Sequence, residues 1–447
     1  MASTYIYRTP SSTGSNTIST LSAWLKKTVN GSYEGIFTSV YETGEYFQIN
    51  FEPSDRLEVR CKVSSSYVLR KITNRVFRDT NAWVHIVVAI DTTDSTAEDR
   101  VKIYVNGTRE TVFDTNTNPG SSQNLTLNTA GSYQHRIGRD EWSTPAYFDG
   151  YMAHVHWVDG TVYQASTFGE TDSTSGIWKA KTSPTVTYGT NGFFFKFENS
   201  GNLDLDSSGN NLTFTTGGTL TQAIDTPSNN FATANALVQP DPSNGTFSTT
   251  NGGNKFTTNF TSKSIAGYSS LGMSSGKYYA ECKYISGNAA IFGAVTEDYV
   301  ASGSSFSIDN NDWGVEKGTK VNYGGSNNAS WHGDWSPNDI LGCAIDLDTG
   351  NGRITWSKNG QWCDGSGNWD ESSPTAWLDL TADKTYFFAA GDKSTSTNAQ
   401  WEFNFGNGVF GSTVVSSAGT SPSQGGVFEY DCPSGFQALC TKGINSF

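Results

Sequence analysis

Apolar and polar side chains alternate with a period of two along most of this chain, in short runs bounded by Gly, Asn, Asp and Ser. No stretch holds a helical period long enough for a helix of ordinary length, so the chain is predicted to be all-β. Val101, Ile103 and Val105 alternate with Lys102, Tyr104 and Asn106, and Asn106-Gly107 then supplies a turn with positive φ. That pattern predicts a half-buried strand entering a hairpin. The run from Trp83 to Ile90 is apolar on both faces except at His85, as expected of a strand covered by a second sheet, so two layers are implied. Phe193, Phe195 and Phe197 against Lys196 and Glu198 close this first set of strands.

A second set follows. Tyr278, Ala280, Cys282 and Tyr284 share one strand face, Ile340 to Leu347 is an apolar run, and Trp401, Phe403 and Phe405 alternate late in the chain. Between the sets, the stretch after Phe214 is rich in Thr, Gly, Asn and Pro, with little alternation. The expected organisation is a jellyroll over residues 1–215, a linker over 216–244, a second β-sandwich over 245–410, and a short C-terminal segment over 411–447. That last segment has apolar anchors but no core of its own, so it must lie on something.

Composition narrows the functional classes. The chain has 447 residues, 29 basic and 43 acidic, for a net charge of −14. This leaves no sequence-wide basic field for nucleic acid or anionic lipid, and no apolar run approaches the ~18 residues of a membrane span. Neither nucleic-acid binding nor membrane insertion is expected. The start MASTYIYRTPSSTGSN lacks the basic-then-apolar pattern of a secretion signal, so synthesis in a cytoplasm is expected. The six cysteines form no C-x-x-C pair and read mostly as buried thiols, with Cys432 and Cys440 alone close enough in sequence to raise a disulfide.

No catalytic residue emerges. Glycoside hydrolysis needs two carboxylates flanking the bond. The nearest set, Glu52, Asp55 and Glu58, is interrupted by Pro53, lacks a single-face parity and reads as a solvated loop. The five histidines accompany no nucleophile-elbow motif. His154 and His156 share a strand face, and if the strands near 135 and 154 pair, His135 joins them. Those three imidazoles are either a zinc or nickel site or packed, hydrogen-bonded histidines. Asp204, Asp206 and Ser208 occupy the first positions of an oxygen-rich loop whose twelfth residue is Thr215 instead of Glu. They form either a turn or a weak calcium site; no cofactor is expected to be required, and calcium is possible. Trp313, Trp331, Trp335, Trp362 and Trp369 stand among Asn, Asp and Gly, either as platforms for sugar rings or as local packing.

Three segments of the first half, Ala82-Trp83-Val84-His85-Ile86-Val87-Val88 followed by Val101 to Gly107, Arg136-Ile137-Gly138-Arg139, and Phe148 to Val155, resemble the laminin-G-like branch of concanavalin A-like jellyrolls. The second half resembles a SPRY domain through Gly276 to Glu281, Ile291 to Val295, Asp339 to Asp346 and Ile354 to Gly360. The resemblance implies two concanavalin A-like jellyroll β-sandwiches in tandem with a short C-terminal extension, and partner-binding loops at one end of the second. The whole arrangement, from Tyr7-Arg8-Thr9-Pro10 to Pro433 to Leu439, is similar to virion surface proteins of marine tailed phages. That resemblance implies a location on a virion surface, as spike, tail fibre or capsid decoration, in contact with other virion proteins and symmetry mates. Phe428, Phe436 and Leu439 would be the attachment anchors, and a host-surface glycan the outward partner, held weakly by many copies. No heptad or collagen-like shaft accompanies the sandwiches, which favours a compact projection over a long fibre.

Overall fold

The computed structural model describes residues 3–42, 44–140, 145–237, 245–260, 265–302, 311–393 and 397–446. It is a β protein throughout: the described helices are the short Ala165–Phe168, Glu297–Ser302 and Thr441–Ile444 and one 3₁₀ turn. The chain divides into two compact units, residues 1–222 and 223–447.

The first unit is a sandwich of two antiparallel sheets. Its larger sheet runs in the spatial order Phe113–Thr117, Ser66–Val76, Arg56–Val63, Glu45–Phe51, Glu34–Glu42, Gln134–Ile137, Tyr5–Arg8 and Thr215–Gly217. The smaller runs Phe193–Phe195, Gly150–Asp159, Ile18–Lys27, Val84–Asp91, Val101–Val105 and Thr108–Arg109. Alternation decides which side chains meet between them: Leu21, Ala23 and Leu25 point inward with Ile86, Val88 and Trp157, against Phe47, Ile49, Val59 and Cys61 of the facing sheet. Trp157 stacks on Phe37 with ring centroids 4.2 Å apart, and its indole N–H donates to Asn128 Oδ1 at 2.8 Å, so its polar atom is satisfied inside the core. The expected hairpin is present. Asn106 and Gly107 have φ of 47° and 82°, the mirror-image turn whose twist suits antiparallel strands.

The run Trp83 to Ile90 is apolar on both faces for a reason the pattern did not reveal. One face meets the core, whereas on the other Val87 and Ala89 lie beneath Tyr163, Ala165, Phe168, Trp178 and Tyr188, an excursion that covers the smaller sheet.

The second unit is also a sandwich. Its larger sheet runs Gly245–Thr250, Lys255–Phe260, Gln400–Asn404, Lys277–Ser286, Ile340–Asp346, Arg353–Lys358, Gln361–Cys363 and Trp369–Glu371. The smaller runs Ile265–Tyr268, Tyr386–Asp392, Ala290–Thr296, Asp312–Glu316, Val321–Tyr323 and Ser326–Asn328. Tyr278, Ala280, Cys282 and Tyr284 do share the inward face, packed with Leu341, Cys343, Ile345, Phe292, Trp401 and Phe403.

Both segments set apart in the sequence as linker and tail contribute to this unit. Ala232 N donates to Leu439 O and Thr441 N to Asn230 O, each at 2.9 Å, and Phe231 bridges to Cys440. Gln437–Ala438 pairs in parallel with Tyr278 and Tyr279, beside the part of that strand which Gln400–Asn404 leaves unpaired. The division therefore falls at 222/223, and residues 223–237 help to close the second sandwich. Residues 238–244 of the expected linker lie outside the described residues.

The anchors expected to dock on another protein dock at home. Phe428, Phe436 and Leu439 are buried, the first two with Phe231, Tyr279, Trp362 and Cys440 on the outer face of the larger sheet, the third in the core. Their apolar surface is already out of water, so attachment through these three side chains would require the segment to detach. All six cysteines are buried free thiols, and no disulfide joins Cys432 to Cys440.

Candidate binding surfaces of the first unit

The residues singled out in the sequence separate when folded. His135 lies between the sheets of the first unit, near Phe37 and Trp157, and its Nε2 donates to Leu127 O at 2.7 Å. His156 lies on the opposite side of the smaller sheet, stacked on Phe194 at 3.8 Å, with Nδ1 2.8 Å from the Tyr188 hydroxyl. The strand carrying His135 pairs with Tyr5–Arg8 and Glu34–Glu42 and not with the strand carrying His154 and His156, so the three-imidazole arrangement does not form. His156 has His85 nearby instead. His85 accepts from the Trp178 indole at 3.0 Å through Nδ1 and donates from Nε2 to Ser22 Oγ at 2.8 Å. Burial holds the His85 and His135 imidazoles down at about 3, neutral at physiological pH. Among the described residues no group of three His, Cys, Asp or Glu side chains is arranged to hold a metal.

The Asp204 loop is stapled by the chain's own donors. Asp206 accepts from Phe194 N, Ser208 N, Ser208 Oγ and Leu212 N, all between 2.9 and 3.0 Å, so both of its oxygens are engaged. Asp204 accepts from Thr216 Oγ1 at 2.9 Å. The oxygen-rich spacing reflects a carboxylate organising a turn.

The tryptophans are mostly interior. Trp313, Trp335 and Trp362 are buried, and Trp313 donates its indole N–H to Asp379 O at 3.0 Å. Trp331 and Trp369 are half-buried against the core. His332 sits against Trp335 and Trp369, its ring nitrogens each 2.8 Å from a carbonyl oxygen, of Gly333 and Lys320. Within 327–335 the exposed residues are Asn327 to Ser330 and Asp334, while Trp335 is buried and Trp331 half-buried against the core, so that loop does not display its indoles as open platforms for a sugar.

A different surface has the chemistry expected of those tryptophans. On the outer face of the larger sheet of the first unit, Tyr7, Arg136, Thr38, Gln48, Arg60 and Arg70 are successive cross-strand neighbours in one row. The residues between them in sequence, such as Phe37, Phe47, Val59 and Leu69, fill the core. In the adjoining row Tyr46 pairs with Lys62 and Lys62 with Tyr67. The Arg60 guanidinium lies 5.7 Å from the Tyr33 ring and 5.8 Å from the Tyr46 ring, and Lys62 lies 4.7 Å from the Tyr67 ring, all within cation–π range. Glu58 accepts from Arg60 Nη1 at 3.0 Å and Arg70 Nε at 2.9 Å, while Arg60 Nε donates to Gln48 Oε1 at 2.8 Å. Gln48 Nε2 and Asn50 Oδ1 are buried there without a protein partner.

The sequence misjudged this region. Glu58 lies on strand Arg56–Val63 and is fully buried, and Asp55, at φ 61°, is buried against Lys27 at 2.9 Å. Only Glu52 stays near the turn, paired with Arg56 at 3.0 Å. The signal available was the alternation Tyr46-Gln48-Asn50 against Phe47-Ile49-Phe51, a strand whose polar half is large and planar.

The end of the same sandwich carries a second feature. Lys27 Nζ sits between the sheets, 2.9 Å from Asp55 and 3.9 Å from Glu34. Glu34 is buried, and burial beside Asp149 and Asp55 pushes its carboxyl up to about 8, against the pull of Lys27. Above Lys27 opens a cavity of about 190 Å³, walled by Phe77, Trp83 and Val84 and flanked by Arg75 and Arg78.

Residues 2–166 match the family described as the Concanavalin A-like lectin/glucanases superfamily, in its laminin-G type. Solved structures similar to part of the chain include the SPRY domain of human HERC1, 16% identical over 37% of this chain and 96% of that one, with a TM-score of 0.29. The TRIM65 PSpry domain is 11% identical over 37% of this chain and 90% of that one, at 0.27. Stonustoxin is 14% identical over 39% of this chain and 27% of that one, at 0.28. No curated protein matches the chain. No helix among the described residues is long and apolar enough to cross a membrane.

Proposed function

We propose that this chain is a non-catalytic surface-display protein of a tailed-phage particle, a compact spike, fibre or capsid decoration that attaches weakly and in many copies to host-surface glycans. The observation that carries the binding part is the tyrosine and arginine face of the first unit, where Tyr67 and Arg70 reach solvent beside Lys62. Tyrosine rings stack on the CH faces of sugars, and fixed planar donors and acceptors read hydroxyls. A small accessible patch around Tyr67 and Arg70 gives low affinity per copy, which repetition on a particle multiplies. Glu58 is held by two arginines, so on that face it serves to position their guanidinium groups. The virion location follows from the sequence resemblance alone.

Two measurements test the reading. Immunogold labelling of assembled particles should place the chain on the outside of the head or tail; labelling absent from particles removes the display role. Full-length protein should bind purified bacterial surface polysaccharide immobilised at high density and release it without cleavage. Hydrolysis of the polysaccharide would favour a depolymerase instead. A trimer that binds host cells on its own would favour a receptor-binding tail fibre.

A further inference from the structure

The cavity at the end of the first sandwich shares no residue with the tyrosine and arginine face, and its chemistry differs. Its volume of about 190 Å³ leaves room for a ring-sized group. One wall is the half-buried Trp83, with Phe77 and Val84 beside it. The other side is cationic. Arg75 commits only its Nε, to Glu110 at 2.7 Å, and Arg78 only its Nε, 3.5 Å from Asp55. Both guanidinium forks keep their Nη atoms, and both side chains are well exposed at the mouth. Lys27 stands at the inner end, shared with Asp55. The one carboxylate in the lining, Asp79, accepts from Asn81 N at 2.9 Å. Glu34, behind Lys27, is predominantly neutral near pH 7 because burial raises its carboxyl, so it does not cancel the ammonium.

We propose that this cavity is a binding site for a carboxylate carried on a ring, with the arginine forks gripping the carboxylate and Trp83 stacking on the ring. Guanidinium forks match carboxylate geometry, and a ring beside an indole adds buried area that a bare carboxylate lacks. The shared chemistry comes from two sources, the acidic residue at a glycan terminus or a free organic acid.

Calorimetric titration of the full chain with D-glucuronate, benzoate, acetate and D-glucose tests this. Glucuronate or benzoate should bind more tightly than acetate, and glucose, which has the ring without the charge, should not bind at this site. Glucuronate as the tighter acid assigns a glycan terminus, and benzoate a free organic acid. The double substitution Arg75→Gln and Arg78→Gln, at exposed positions that the fold tolerates, should weaken the acid roughly tenfold or more, the loss of a charge-assisted contact. Trp83→Ala should bring glucuronate and benzoate down to the level of acetate. Tyr67→Ala, on the separate sheet face, should leave the acid binding unchanged, so failure here and failure of the glycan-face reading are read apart. The proposal is overturned if none of the acids binds, if glucose binds as well as glucuronate, or if the double arginine substitution changes nothing.

Discussion

The outer faces of the two larger sheets began from similar architecture and were put to opposite uses. In the first unit that face carries Tyr7, Arg136, Gln48, Arg60 and Arg70 in one row, and Tyr67 and Arg70 are partly open to solvent. In the second unit the corresponding face, with Tyr279, Ala344 and Trp362, is sealed by Phe231, Phe428, Phe436 and Cys440. At the centre of the seal Glu281 accepts from Glu429 N at 2.8 Å and Tyr430 N at 2.9 Å, with the Tyr279 hydroxyl and Asn404 Nδ2 close by. A sheet face in a sandwich must be solvated, covered or bound. The C-terminal segment covers one with apolar side chains and with backbone donors to the sheet's buried Glu281, and the other carries polar rings and guanidinium groups. On the proposed reading binding belongs to the first unit, whereas most of the second unit's tryptophans are buried in its own fold.

The contrast can be broken most forcefully at the seal. Phe428→Ala should cost the second unit about 3–5 kcal/mol, the range for a fully buried phenylalanine, with hydrogen exchange accelerated around Tyr279 and Trp362. Unchanged protection there would mean that the segment is not what closes the sheet. The next effect is a pH dependence. Burial pushes the Glu281 carboxyl up to about 7, despite the backbone donors that favour its charged form. The folded state therefore prefers the neutral acid. This contribution is complete below the ordinary carboxylate range near pH 4.5 and is lost as pH rises through about 7, on the order of 3 kcal/mol. Glu281→Gln cannot ionise, so the melting temperature of the second unit should flatten between pH 5 and 8. A wild-type stability that rises over that interval would have the opposite sign and defeat the prediction.

Smaller effects sharpen the other side of the contrast. Tyr67→Ala and Arg70→Ala together should change stability by less than about 1 kcal/mol, since both are partly exposed, yet weaken polysaccharide binding several-fold. An unaltered binding curve would remove the sheet face from the glycan reading. Smallest of all, EDTA should leave the melting temperature of the first unit unmoved, because the Asp206 oxygens already accept from four chain donors. A rise with added calcium that EDTA reverses would restore the calcium site.

How far the sequence could be read depended on which interaction fixed each residue. Strands such as Val101–Val105 and Lys277–Ser286 were legible because parity alone assigns their faces. The match over residues 2–166 agrees with the laminin-G-like expectation for the first half. The separation of His135 from His156 was not legible, because it turns on which strands pair, a non-local choice that alternation leaves open. The tryptophans of the second unit were ambiguous for another reason: Asn, Asp and Gly around Trp331 and Trp335 signal irregular backbone, and an irregular backbone packs an indole as readily as it displays one. The sheet face was overlooked because buried Gln48, Arg60 and Glu58 look like ordinary solvated positions in a strand pattern. Only the folded neighbours reveal that they satisfy one another and leave Gln48 Nε2 and Asn50 Oδ1 over.

The claim that binding belongs to the first unit's open face is tested most directly by hydrogen exchange on the full chain, with and without a saturating bacterial surface polysaccharide. Slowed exchange confined to Glu45–Phe51, Arg56–Val63 and the neighbouring part of Ser66–Val76 is the expected footprint. A footprint on residues 327–335 and around Trp369, with those strands unchanged, would contradict it and return the site to the tryptophans.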